Sequence, residues 1–347
     1  MIKLGIIGST GYVGAEIVRI LAARKDVEIT VVTSESFTGK PYSEVYPSLR
    51  GIFDKTCEEM DIDRIAHKAD YFITALPHGV SAKIVNQLLS KGKRVLDHSA
   101  DFRFRDVKVY EEWYKVEHPA KDLTKDAVYG LPELYRDKIK DARLVANPGC
   151  YPTCSILGIA PALSNKLVSA KGIIINAASG VSGAGRKSDL SYSFCETAEN
   201  FKAYGVSSHR HTPEIEQELS QLSGEEVVIS FTPHLAPMKR GMLATIYMDL
   251  NDTGLQLEEI HAVYREFYKN EPFVRILPVG KFPETKFVAG SNFVDIGISV
   301  DKRLNRLIVV SALDNLGKGS ASQAIQALNI MAGIDETEGL IRPGLYI

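Results

Sequence analysis

Cysteine is scarce in this chain, and what there is suits neither a metal site nor a disulfide scaffold. The four cysteines, Cys57, Cys150, Cys154 and Cys195, form no CxxC pair and match no zinc-ligand spacing. In a reducing compartment disulfides among them are not expected, so any thiol chemistry must come from one cysteine alone. Net charge is also lacking. The 41 Lys and Arg against 43 Asp and Glu leave −2, which provides no electrostatic footprint for nucleic acid or an anionic membrane. No apolar run approaches the ~20 residues of a membrane span. The opening MIKLGIIG enters a strand pattern at once, leaving no room for a signal peptide's charged and apolar regions, so a cytoplasmic chain is expected. Internal repeats and low-complexity tracts are missing too.

What remains is an ordinary globular composition. At 347 residues, 45% hydrophobic and 24% charged, the chain is long for one core and comfortable for two domains. The first part alternates strand and helix patterns. Residues 2–8, 27–34, 70–77, 94–100 and 143–149 read as buried strands, and 12–24 and the stretch after 78 as helices. That alternation implies a doubly wound parallel sheet of Rossmann-like α/β class. Residues 101–142 are polar and aromatic and read as an insertion or a loop-rich flap. After a helix at about 154–166, long alternating strands take over. They predict an α+β domain with a largely antiparallel sheet, including a hairpin at VDKRLNR and an amphipathic helix over 255–270. The expected division is 1–149, joined by the C-terminal 318–347, and 150–317.

GSTGYVG (8–14) spaces its glycines as G-x-x-G-x-x-G after a strand and before a helix. Gly8 and Gly11 there let backbone approach a pyrophosphate at a positive helix end, and Gly14 lets the helix pack closely. Dinucleotide binding follows. The second strand ends Thr33-Ser34 rather than in the acidic residue typical of NAD sites, so a 2′-phosphate is tolerated and NADP is favoured. Glu35, next along, argues the other way.

Cys150 in NPGCYPT follows a predicted parallel strand and starts a helix, where the dipole and free N–H groups favour a thiolate. Cys154, one turn on, reads as a small core residue, as do Cys57 and Cys195. A nucleophilic thiol needs an acid–base partner. His211 and His209 lie just before the helix start TPEIEQEL, His211 being the first choice and His209 the alternative; His78, His98 and His234 are weaker candidates. An anionic substrate needs positive charge, and Arg103, Arg186 and Arg240 each follow loop-like segments; a lone Arg is by default a surface residue, and the Ser/Gly-rich backbone of an anion nest precedes only Arg103 and Arg186.

The stretches GSTGYVGAE, HSADFR, NPGCYPT, SGVSGAGR, HRHTPEI and HLAPMKRGM, in that order, resemble the N-acetyl-γ-glutamyl-phosphate reductases, relatives of aspartate-semialdehyde dehydrogenase. The resemblance spans nearly the whole chain. Cys154 departs from the Gly or Ala more usual there. It implies Cys150 as nucleophile and His211 as acid–base residue. Gly8, Ser9, Thr10, Gly11, Tyr12, Val13, Gly14 and Ser34 are implied on the cofactor, with Ser179, Gly180, Ser182, Gly183 and Asn315 near the nicotinamide. The expected substrate contacts are Ser99, Arg103, Asn147, Arg186 and His209. An NADPH-dependent reduction of an acyl phosphate to an aldehyde through a Cys150 thioester is implied, in arginine biosynthesis, by a homodimer or homotetramer. No metal is expected. Aspartyl-phosphate reduction by the same chemistry, and a nucleotide sensor without catalysis, are the competing readings.

Overall fold

A computed structural model describes residues 1–186 and 188–346. It divides into two compact units, Met1–Pro148 with Ser320–Ile341, and Gly149–Gly319 with the residues from Arg342 onward. The segment after Arg342, expected with the first domain, instead clusters with the second, where Leu345 N–H donates to the Ala289 carbonyl at 2.8 Å.

The first unit is built on six parallel strands. These are β1 (Ile2–Ile7), β2 (Val27–Val32), β3 (Tyr71–Thr74), β4 (Arg94–Asp97), β5 (Ala127–Tyr129) and β6 (Leu144–Ala146), in the order β2-β1-β3-β4-β6-β5. Four helices of eight residues or more alternate with them: α1 (Tyr12–Leu21), α2 (Ser81–Ser90), α3 (Val107–Tyr114) and α4 (Pro132–Asp141). The strands are short and β-branched because both faces are covered. Ile7, Val31, Phe72, Val95 and Leu144 form a core with Ala82, Val85 and Leu88 of α2. Chain order reverses between β2-β1 and β3, and the crevice at that point, beyond the carboxyl ends, is where such sheets bind ligands.

The flap expected at 101–142 is instead folded. Tyr110 and Tyr114, one helical turn apart on α3, stack at 4.9 Å and bury against Phe104, while Ala127–Tyr129 extends the sheet beside β6. Spaced aromatics supply an apolar stripe that a count of polar residues conceals.

The second unit holds β7 (Ile173–Gly180), β8 (Lys202–Ala203), β9 (Ile229–Ala236), β10 (Met242–Asp249), β11 (Val274–Ile276), β12 (Val294–Asp301) and β13 (Arg306–Leu313). Their order is β11-β12-β13-β10-β7-β9-β8. The sheet is antiparallel except where β7 meets β9 and β11 meets β12, and the expected hairpin joins β12 to β13. Its helices of more than ten residues are α5 (Cys150–Ser164), α6 (Thr212–Ser223) and α7 (Leu257–Phe267).

α5 is buried from Tyr151 to Leu163, so no water can complete its backbone. At Gly158 an added methyl would lie 2.8 Å from Ile246 Cδ1, which is how closely the helix rests on β10. Pro161 has no N–H for the Leu157 carbonyl one turn earlier. The Tyr268 hydroxyl, just past α7, donates to that carbonyl at 2.6 Å, and Tyr264 of α7 donates to the Gly158 carbonyl at 2.8 Å. Removing the hydroxyl with Tyr268→Phe strands a buried acceptor and is expected to lower unfolding stability by about 1–3 kcal/mol. Urea denaturation measures this, and a change within error would mean that the carbonyl is served by another donor.

Candidate active site

In the first unit the glycine loop is built as a cradle. Gly8 has φ +76°, and a methyl there would sit 2.6 Å from the Ala75 carbonyl oxygen after β3. Only glycine meets both conditions. A methyl at Gly14 would fall 2.4 Å from the Ser9 carbonyl oxygen, so this glycine lets α1 close on the loop's own backbone rather than on the sheet. Gly11 is different. It is the N-cap of α1, and a methyl there would meet only the Gly8 carbonyl oxygen, at 3.8 Å. That leaves room above the helix start, and the first turn of α1 contains no acidic side chain. Tyr12 and Val13 lie in that turn, Tyr12 exposed. A diphosphate fits this cradle by charge and by shape.

Hydroxyls hold the loop in place. Ser9 is fully buried and donates to the Thr33 carbonyl at 2.9 Å, facing inward. Tyr42 and Tyr46 donate to the Ser9 and Thr10 carbonyls at 2.7 and 2.8 Å. Thr10 and Ser34 share a 2.7 Å hydroxyl contact at the end of β2, whereas Glu35 is exposed. The rim beside the cradle is therefore made of neutral hydroxyls.

Ser99, Arg103 and Asn147 lie beyond the carboxyl ends of β4 and β6 and are buried. Asp97 receives hydroxyl donors from Thr74 at 2.6 Å, Ser81 at 2.5 Å and Ser99 at 2.5 Å, so the Ser99 proton is committed internally. Burial pushes the Asp97 carboxyl up. Arg103 donates to the His98 carbonyl at 2.8 Å. The Asn147 amide donates at 3.2 Å to both the Ser320 carbonyl and His98 Nδ1; the carbonyl fixes the amide's orientation and so places the His98 proton on Nε2. Burial and the Arg103 charge lower His98 to about 3, keeping it neutral. His78 is used as an acceptor by Ala100 N–H at 2.9 Å.

In the second unit Cys150 is the first residue of α5 and half-buried, with Gly149 as N-cap. The Gly149 N–H is met by the buried Glu214 carboxylate of α6 at 2.9 Å. Sequence reasoning missed this residue, although HTPEI placed it in the first turn of a helix. Tyr151, next to the thiol, gathers both histidines: its ring lies 5.5 Å from His209 and 6.0 Å from His211, edge-on. His209 is enclosed by Tyr151, Tyr204 and Phe231, and burial, then the Arg210 charge, lowers it to about 4. Its Nδ1 accepts the His211 N–H at 3.1 Å, so its proton sits on Nε2. His211, half-buried at the N-cap of α6, stands 4.8 Å from the His209 ring. The Tyr204 hydroxyl donates to that of Tyr151 at 3.2 Å, and burial pushes Tyr204 up to about 12.

Ser179 and Gly180 end β7, and Ser182 and Gly183 lie in the short turn Val181–Ala184 that follows it. Gly180 leaves no space for a methyl, which would lie 2.8 Å from the Arg240 backbone. Asn315 is buried and works as a clamp: it accepts the Gly241 N–H at 2.7 Å and donates to the Ser182 hydroxyl at 2.9 Å. Arg186 is exposed. Arg240, considered above for an anion, forms an ion pair with buried Asp314 at 2.7 Å. Cys154 is fully buried against Ser311, its thiol raised to about 12 by burial, and Cys57 is buried too. Cys195 is exposed, contrary to the core position expected for it; it sits in the one-turn helix Phe194–Thr197 before β8, where its neighbour Phe194 is exposed as well.

Residues 3–142 match the family described as semialdehyde dehydrogenase, NAD binding domain, and residues 150–315 match semialdehyde dehydrogenase, dimerisation domain. Among curated proteins the chain is 60% identical over 347 residues to an N-acetyl-gamma-glutamyl-phosphate reductase of Acetivibrio thermocellus, with 100% of both chains covered. A protein of the same name from Geobacter sulfurreducens is 52% identical over 341 residues, 98% of each. Among solved structures, aspartate semialdehyde dehydrogenase II of Vibrio cholerae superposes with TM-score 0.74 at 17% identity, over 96% of this chain and 98% of that one. The Candida albicans aspartate semialdehyde dehydrogenase with NADP gives TM-score 0.69 at 16% identity, again over 96% and 98%. At those identities the likeness is one of fold.

The depressed His209 value has a stability consequence. An ordinary histidine titrates near 6.5 and the folded ring near 4, so between those values the unfolded chain binds more protons and stability falls as pH drops. Melting temperatures from pH 8 to 4 should fall less steeply for His209→Gln than for the wild type. Parallel profiles would overturn this assignment.

Proposed function

The chain belongs to the N-acetyl-gamma-glutamyl-phosphate reductase family of semialdehyde dehydrogenases, and from that premise we propose how its residues carry the reaction. It reduces N-acetyl-L-glutamyl 5-phosphate to the 5-semialdehyde with release of phosphate, a step in arginine biosynthesis. The observation that carries the residue assignment is the placement of Cys150 at the first position of a buried helix, with two histidines packed on the residue beside it.

The Cys150 thiolate, favoured by the α5 N-terminus, attacks the acyl carbon; the C–O bond to phosphate breaks and a thioester forms. NADPH, when bound, supplies the hydride that this thioester carbon accepts. His211 gives a proton to the oxygen of the resulting thiohemiacetal and retrieves one as the C–S bond breaks, releasing aldehyde and thiolate. General acid–base assistance of this kind is worth ~10²–10⁴ in rate. His209, lowered to about 4, is poorly suited to donate a proton near neutrality; its contact with the His211 backbone suits it to holding His211 in place. The cradle from Gly8 to Gly14 would hold the pyrophosphate, and the neutral Thr10–Ser34 rim suits a 2′-phosphate. Ser99, Arg103, Asn147 and Arg186 are proposed to surround the substrate's anionic and amide groups. The reductase relatives, at half the residues or more, favour the acetylated substrate over aspartyl phosphate.

Assembly is proposed through the second unit, in keeping with the dimerisation domain matched there. Ile174, Tyr247 and Ile308 line up across β7, β10 and β13 on the half-exposed face of its sheet. Sedimentation of Tyr247→Lys should show dissociation towards monomer; an unchanged distribution would remove this face from the interface.

Two substitutions test the chemistry. Cys150→Ser should abolish NADP reduction with semialdehyde and phosphate, and near-wild-type turnover would end the nucleophile assignment. His211→Asn should lower kcat ~10²–10⁴-fold with NADPH affinity kept, whereas an unchanged kcat would move the proton to His209.

A further inference from the structure

A glycine in the segment after β13, one that no proposed catalytic role accounts for, packs close to Cys150 from outside its own helix. Gly319 follows β13 by a short turn. A methyl built on it would lie 2.8 Å from Cys150 Cβ, 3.1 Å from Leu313 Cδ1 and 3.2 Å from the Asp314 carbonyl oxygen. The first contact is decisive. Cys150 Cβ is fixed to the backbone of a buried helix and cannot swing aside as the tip of a long side chain does. Any residue larger than glycine at 319 must push the thiol-bearing carbon or be pushed away by it.

What holds Gly319 there is Asp314. This carboxylate is fully buried. One oxygen accepts the Leu316 and Gly317 N–H groups at 2.9 and 3.2 Å, starting the wide turn Gly317–Ala321. The other accepts Arg240 Nε at 2.7 Å and the Gly290 N–H. The Asp314 carbonyl then accepts the Gly319 N–H at 2.9 Å. Four donors converge on one carboxylate, and they come from three separate segments of the unit. An amide in its place would turn an N–H₂ group towards one pair of those donors, leaving them unmet in a buried setting. Asn315, the next residue, ties the same place to Gly241 and Ser182.

We propose that Asp314 is a positioning residue for the nucleophile: together with Arg240 it sets the turn that seats Gly319 against Cys150, and so fixes where the thiol points. Arg240 on this view serves the site through Asp314. The inference rests on Cys150 being the nucleophile, so its test must separate the two.

Gly319→Ala, Asp314→Asn and Asp314→Glu are assayed for kcat, NADPH affinity and the rate of Cys150 alkylation by iodoacetamide against pH, with labelled peptides mapped. A displacement on the ångström scale is expected to cost on the order of 10²-fold in kcat. In Gly319→Ala and Asp314→Asn that loss should come with NADPH affinity retained and with an altered pH profile of alkylation at Cys150. Asp314→Glu, which keeps the acceptor charge, should recover part of the rate. If the folded variants alkylate at Cys150 with the wild-type profile and turn over normally, the positioning role is wrong. A drop in melting temperature alone, with that profile unchanged, also rejects it by leaving Asp314 a purely structural role. Failure of the underlying reading looks different: Cys150→Ser would then retain turnover, whatever the other variants do.

Discussion

A helix buried on every side has to find a partner for each polar group that its own ladder leaves open, and α5 is such a helix. Its first N–H groups have no internal acceptor, and Pro161 strips a donor from its middle. Glu214 meets the Gly149 N–H, and Tyr268 and Tyr264 meet the Leu157 and Gly158 carbonyls. The sheet comes close enough to touch because Gly158 has no side chain. Much of the second unit is arranged around satisfying this one rod. The residue proposed as nucleophile, Cys150, is the first of this rod, where the helix N-terminus favours negative charge.

The two histidines divide along the same lines. His209 is surrounded by aromatic rings and kept neutral, with one ring nitrogen already occupied by the His211 backbone. His211 sits half-exposed at a helix start. A pair that looks symmetric in HRHTPEI is thus split by environment into an enclosed ring and a half-exposed one, which is the division that the proposed roles follow. Arg240 undergoes a similar change of meaning. Taken alone it resembles an anion ligand, and beside buried Asp314 it becomes part of a brace.

The fold was legible wherever a single period dominated. The β-branched runs of the parallel sheet, the hairpin at VDKRLNR and the helix before residue 270 all follow from spacing that local chemistry imposes. Residues 101–142 were not legible, because Tyr110 and Tyr114 supply a stripe only two rings wide among charged neighbours. Cys195 was misjudged since nothing local distinguishes an exposed thiol from a buried one. In the glycine loop the positions could be read but not their separate duties: Gly8 answers to positive φ, Gly14 to the Ser9 backbone and Gly11 to open space. Glu214, Asp314 and Gly319 were hidden for a common reason. Each acts on a partner far along the chain, through an oxygen or an absent methyl that no periodicity encodes.

The two tyrosine hydroxyls on α5 also bear on how the molecule breathes. A helix that closes its own ladder can fray from the outside inwards, one turn at a time. This one borrows closure from Tyr264 and Tyr268, so its middle cannot loosen unless the far end of α7 departs with it. The two helices therefore form one cooperative opening unit, protected together or exposed together in hydrogen exchange. The cysteine proposed as nucleophile is thus mounted on a helix whose opening is tied to that of a second one.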